Sequence, residues 1–200
     1  MRVLFSAVFI FIQLSVAQSL DEFCGTAPMP LNQVLDIKNS IEEWSPTRPR
    51  DTTAIHILVR WHVITNENGV GDYSNQSIYN CMELLNNNYI DHNFFFTLDT
   101  IDRTANTSWF NNWSDSNAQA GFQALSYDPY HYLNIYTADL NAIGLEGYSY
   151  LGNSLAASSY MQSVNLDYRS LSAGWIITHE VGHHLGLPHT FQGNCTEPND

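Results

Sequence analysis

The chain has 200 residues, 44% hydrophobic and 13% aromatic, with 7 Lys+Arg against 20 Asp+Glu for a formal charge of −13. That is the size of one globular domain, and 10 Phe, 11 Tyr and 5 Trp supply large side chains for its core, which argues against disorder of the whole chain. Nucleic acids and anionic membranes bind through cationic patches, so an acidic chain without a Lys/Arg cluster is expected to bind neither.

The first element in chain order is an address. Arg2 gives a positive start, Val3 to Leu14 is apolar apart from Ser6 and Gln13, and Ser15-Val16-Ala17 puts small residues at a cleavage site. Residues 1–17 therefore read as a signal peptide, because the apolar run is well short of the ~20 residues that span a bilayer. A secreted, extracellular protein is expected to carry glycans and oxidised cysteines. Asn75-Gln76-Ser77, Asn106-Thr107-Ser108, Asn112-Trp113-Ser114 and Asn194-Cys195-Thr196 are acceptor sequons. Three cysteines, Cys24, Cys81 and Cys195, leave one free, paired with another chain, or short of its partner.

Residues 18–52 read as an N-terminal extension or pro-segment, with Pro28, Pro30, Pro46 and Pro49 and one short helix around Leu31 to Trp44. Thr53 to Thr65 then alternates, placing Ile55, Ile57, Val59, Trp61 and Val63 on one face of a strand that stops at Asn68-Gly69. Ser77 is positioned to cap a helix whose Ile78, Met82, Leu85 and Tyr89 recur at three to four residue steps, and Phe94 to Ile101 returns to a β-rich run. The order so far is β-α-β. Asn106 to Asn117, rich in Asn, Ser and Trp, reads as a surface loop. Tyr132 to Tyr136, Gly147 to Leu151 and Val164 to Tyr168 read as short strands, and Ser170 to Gly174 as a turn into a last helix.

That helix carries the chemistry. His179-Glu180-Val181-Gly182-His183-His184-Leu185-Gly186-Leu187-Pro188-His189 has the form HExxHxxGxxH. Four residues apart, His179 and His183 share a helix face and can grip one metal ion, with Glu180 beside them. Gly186 can end the helix in a left-handed conformation and Pro188 keeps it from resuming, which brings round His189 as a third ligand. Three protein ligands leave a fourth position for water, as in a catalytic zinc site. His184 points about 100° away from His183 and is expected to be no ligand. His56, His62, His92 and His131 are expected to be structural.

At these residues the chain resembles the metzincin zinc endopeptidases, and more closely the pappalysin family. Thr178 before the motif and Leu187 to Cys195 after it look like that family's sequence, as do His62-Val63-Ile64, Phe94 to Leu98, Asp102-Arg103-Thr104, Trp109-Phe110 and Leu133 to Tyr136. The resemblance implies an α+β (mixed α/β) fold: a twisted mixed sheet with a backing helix and an active-site helix. It also implies an edge strand at Gly147 to Leu151 that binds an extended protein or peptide substrate by strand addition. Site and resemblance together imply peptide hydrolysis by a zinc-activated water, with zinc on His179, His183 and His189 and with Glu180 as general base.

The family's methionine turn follows the third histidine, whereas Met1, Met29, Met82 and Met161 all precede it here. Residues 53–200 are therefore expected to be the N-terminal subdomain of a catalytic domain whose C-terminal subdomain is largely missing. On that account the alternative to an endopeptidase is a non-catalytic secreted glycoprotein that binds zinc or a peptide. Cys24-Gly25 resembles the switch motifs of some metzincins, in which a thiolate fills the open zinc position. Its alternative is a disulfide from Cys24 to Cys81 or to a cysteine further along.

Overall fold

A computed structural model describes residues 24–44, 53–152 and 154–189. The signal peptide reading, the sequon at Asn194 and Cys195 fall outside the described residues. The element order is α1 (Leu31–Trp44), β1 (Ile55–Thr65), α2 (Asn75–Tyr89), β2 (Phe94–Ala105), α3 (Thr107–Asn111), α4 (Asp115–Leu125), β3 (Tyr132–Ala138), β4 (Gly147–Ser149), β5 (Ser163–Asp167) and α5 (Trp175–His184). Five strands form one sheet in the order β2-β1-β3-β5-β4. β1 runs parallel to β2 and β3, and β3 parallel to β5, while β4 closes the edge antiparallel to β5. This is the mixed α/β sheet expected, with α2 behind it and α5 beside β4 and β5.

Helices cover both faces of the sheet, so β1 is buried on both sides from Trp61 onward. On one face Val59, Trp61, Val63, Leu133 and Ile135 pack with Ile78 and Leu85 of α2 and Ile176 and Val181 of α5. On the other, Ile64, Tyr136 and Ala138 pack with Phe110, Trp113 and Phe122. Each such side chain, once fully buried, contributes about 1.5–3 kcal/mol, so α5 rests on a firm apolar bed.

Three expectations need correction. Ser77 is not the cap of α2: the helix starts earlier, and Ser74 Oγ accepts the Ser77 N–H at 3.1 Å. Residues 106–117 are not one surface loop but lead through α3 into α4. Asn106 Oδ1 accepts the Trp109 N–H at 3.0 Å and so starts α3, and Trp113 is 1% exposed in the core. The Asn and Ser residues that suggest a loop serve here as helix starts. Strand limits also move: β2 runs on to Ala105, β3 to Ala138, and the edge strand β4 is only Gly147–Ser149. Among the described residues no helix is long and apolar enough to cross a membrane.

Candidate active site

Helix α5 begins at Gly174, whose φ of 72° turns the chain out of the short 3-10 helix Ser170–Ala173. Ile176, Ile177 and Val181 bury its inner side. Two further contacts hold it against α2: Tyr89 Oη donates to the Thr178 carbonyl at 3.0 Å, and Asn88 Nδ2 donates to Thr178 Oγ1 at 2.8 Å. The helix stops as the motif suggests. Gly186 has φ 96°, its N–H bonds the His183 carbonyl at 2.8 Å, and the Leu187 N–H bonds the Gly182 carbonyl at 3.0 Å. The chain then turns back toward the helix and brings in His189.

The three motif histidines converge. His183 Nε2 lies 3.0 Å from His179 Nε2 and 3.0 Å from His189 Nε2. Cys24 Sγ joins them, 3.3 Å from His189 Nε2, and all four donor atoms lie within 4.8 Å of one another. Nitrogens at such distances either share an N–H···N hydrogen bond or turn their lone pairs on a common cation, and three imidazoles with a cysteine sulfur suit a four-coordinate divalent metal. The residues present therefore fit one metal ion. His183 Nδ1 donates to the Leu187 carbonyl at 2.7 Å, which fixes the ring and leaves Nε2 as acceptor. Burial, with the charges of His179 and His189, lowers the His183 pKa to about 4 despite that carbonyl, so the ring is neutral.

Glu180 sits behind this cluster with 0% exposure. Its carboxylate packs against β4, where a Cβ on Gly147 would lie 2.8 Å from Glu180 Cγ and 3.1 Å from Oε1. Burial pushes the Glu180 carboxyl up to about 7, against hydrogen bonds from Cys24 and Thr26 that favour the charged form. A carboxylate tuned near neutrality is suited to moving protons.

Sequence reasoning left Cys24 open between two roles. Cys24 and Cys81 are both free, Cys81 being buried where its Sγ faces the Leu171 carbonyl at 3.5 Å. Burial and then the Glu180 charge push the Cys24 thiol up to about 12. Thr26 was missed: its hydroxyl donates to Glu180 Oε2 at 3.0 Å. The Cys-Gly-Thr run draws attention to its thiol, and nothing local marks its third residue. His184 stands apart from the cluster, half-buried beside His56 and His131 around a separate cavity of ≈ 350 Å³. His62 is buried, 2% exposed, on the opposite face of the sheet.

A mixed sheet bearing HExxHxxGxxH on a helix that ends in a left-handed glycine has the form of the metzincin class of metallopeptidases. The peptidase family described as pregnancy-associated plasma protein-A matches residues 116–200. The chain is similar to an extracellular metalloprotease of Verticillium alfalfae, 34% identical over 160 residues, 73% of this chain and 55% of that protein. It is similar also to extracellular metalloprotease 1 of Coccidioides posadasii, 30% identical over 194 residues, 88% of this chain and 67% of that protein. Its fold matches a promirolysin variant of Tannerella forsythia with a TM-score of 0.65 at 21% identity, covering 86% of this chain and 71% of that one. Mature mirolysin with a cleaved peptide matches at 0.58 and 22%, covering 68% and 65%.

The chain belongs to the pappalysin family of metzincin peptidases. It spans about half the length of the curated relatives it matches, 55% in the Verticillium protein.

Proposed function

We propose that this chain is the zinc-binding part of a secreted zinc-dependent endopeptidase, in its latent form. In this reading residues 1–17 direct export, residues 18–52 are the pro-segment and the catalytic domain starts at 53. The observation that carries it is the convergence of His179, His183, His189 and Cys24 within 4.8 Å, with the buried Glu180 carboxylate beside them. His179, His183 and His189 would hold zinc, and the metal would supply Lewis acidity toward water and a peptide carbonyl. Glu180 accepts a proton at a carboxylate oxygen and returns it to the leaving amine nitrogen. The outer edge of β4 binds an extended peptide backbone. Mirolysin's structure with a cleaved peptide supports peptides as the substrate class. Cys24 Sγ, which would give up its proton only to a metal bound beside it, would supply a fourth donor until the segment leaves. The names of the fungal relatives support an extracellular location.

The test is zinc content together with peptide turnover in the full-length protein, freed of its pro-segment, before and after Glu180→Gln. One zinc per chain in both is expected, with kcat/KM lower by about 10²–10⁴ in the variant. Full activity in Glu180→Gln would remove Glu180 from its role. Zinc without turnover in the unaltered protein would favour the non-catalytic zinc- or peptide-binding reading.

A further inference from the structure

Cys24 faces the histidine cluster and Glu180, and the segment that carries it also touches the cleft through its backbone and through Thr26. Cys24 forms a parallel bridge to Gly147. The Gly25 N–H donates to the Gly147 carbonyl at 2.9 Å. A Cβ at Gly25 would lie 2.4 Å from Leu145 Cδ1 and 3.2 Å from Tyr148 Cβ, so the segment runs close against β4 here. Thr26, 5% exposed, then uses one hydroxyl twice: it accepts the Ser149 N–H at 2.9 Å and donates to Glu180 Oε2 at 3.0 Å.

These contacts take up the groups that hydrolysis needs. The Gly147 carbonyl and Ser149 N–H are main-chain groups of the edge strand, and Glu180 is the proton acceptor of the reading above. Ser149 N–H, Thr26 O–H and the Glu180 carboxylate form an aligned chain in which each bond strengthens the next and the last is charge-assisted. No metal takes part in it.

We infer that Thr26 is a second, metal-independent lock on the cleft: its hydroxyl holds the N-terminal segment on β4 and closes the Glu180 carboxylate to water, whether or not the Cys24 thiol is bound. Thr26 is thus a positioning residue for latency, and this role rests on the peptidase reading. A bond to a buried charge is strong enough for its loss to be measured as a rate change of tenfold or more.

The test uses the full-length protein stripped of metal with a chelator, and compares it with Thr26→Val, which keeps the branched shape, and Thr26→Ser, which keeps the hydroxyl. In Thr26→Val, amide exchange at Ser149 and alkylation of Cys24 by iodoacetamide should each be at least tenfold faster. Thr26→Ser should stay within twofold of the unaltered protein. Rates in Thr26→Val equal to the unaltered protein would overturn the lock. Should valine prevent folding, Thr26→Ala is read in the same way. Neither rate depends on hydrolysis, so a protein that never cleaves peptide yet shows the tenfold changes keeps the lock and overturns the peptidase reading instead.

Discussion

At one edge of the sheet lies β2, 12 residues long and largely exposed on alternate positions; at the other lies β4, three residues long and buried throughout. β2 is irregular and charged. Its pairing with β1 skips Asp99, which bulges between Val59↔Leu98 and Arg60↔Thr100. Arg60 pairs Asp99 at 3.3 Å and Asp102 at 2.9 Å, and Arg103 is drawn to Asp72 at 2.8 Å. β4, Gly147-Tyr148-Ser149, has no charge and no register shift, and its edge groups are taken by Gly25 and Thr26. Bulges and fixed charges keep a long edge from recruiting another strand, whereas a plain edge accepts one. The sheet is closed on one side and receptive on the other, and the proposed chemistry lies on the receptive side.

The largest expected effect comes from filling the receptive edge. Gly147→Ala puts a Cβ 2.8 Å from Glu180 Cγ and 3.1 Å from Ile176 Cγ1. Either the carboxylate or β4 must shift, so kcat/KM of the activated protein should fall about hundredfold, ~2.7 kcal/mol, with zinc content unchanged. Equal activity would mean that this close approach is not used. A smaller effect comes from loosening β5, the strand that presents β4. Trp113 Nε1 donates to Asn165 Oδ1 at 2.8 Å, and Asn165 sits opposite Tyr148 in the β4–β5 ladder. Trp113→Phe removes the donor, leaves a buried carbonyl short of its partner and opens a gap, so urea denaturation should show about 2–3 kcal/mol lost. A loss below 0.5 kcal/mol would show that Asn165 needs no such support.

The two edges were not equally legible from sequence. The helix beside β4 was, because HExxHxxGxxH places three histidines that converge and the helix end within one short stretch, and Gly186 at φ 96° does what its position suggests. β1 was legible through its alternation and β2 as a β-rich run, though Asp99 interrupts β2 without any signal a single strand could give. What lay beyond reach was contact across the chain. Thr26 meets Ser149 and Glu180 over separations of 123 and 154 residues, and no periodicity joins them. Helices α3 and α4 were hidden for a local reason: Asn106 and Ser114 look like loop residues but precede helices as N-caps.

The closed edge can be probed by pH. His62 Nε2 donates to Asn134 Oδ1 at 3.0 Å, and its Nδ1 lies 3.6 Å from Asp102 Oδ2, so the ring joins β2 to β3 through β1. Burial, opposed by Asn134 and Asp102, lowers its pKa below 6.5. The folded state then binds fewer protons than the unfolded state as pH falls, so the His62 contribution is complete above about 6.5 and lost progressively below it. Thermal unfolding between pH 7.5 and 5 should drop more steeply for the unaltered protein than for His62→Gln. Parallel slopes would show that His62 does not titrate differently on folding.

The smallest effect is expected from Asp99 itself. Asp99 is an exposed bulge residue, its side chain 39% exposed, and its ion pair with Arg60 is worth at most about 1 kcal/mol. Asp99→Val should therefore change stability by less than that and leave turnover alone, since β2 lies at the far edge from β4. It should, however, remove a charge and supply a β-branched residue where the edge is blunted. Sedimentation equilibrium should then show a weight-average mass that rises with concentration more steeply than that of the unaltered chain. A variant with the same profile as the unaltered chain would mean that the bulge alone closes this edge, and that the acidic residues along it serve solubility rather than strand exclusion.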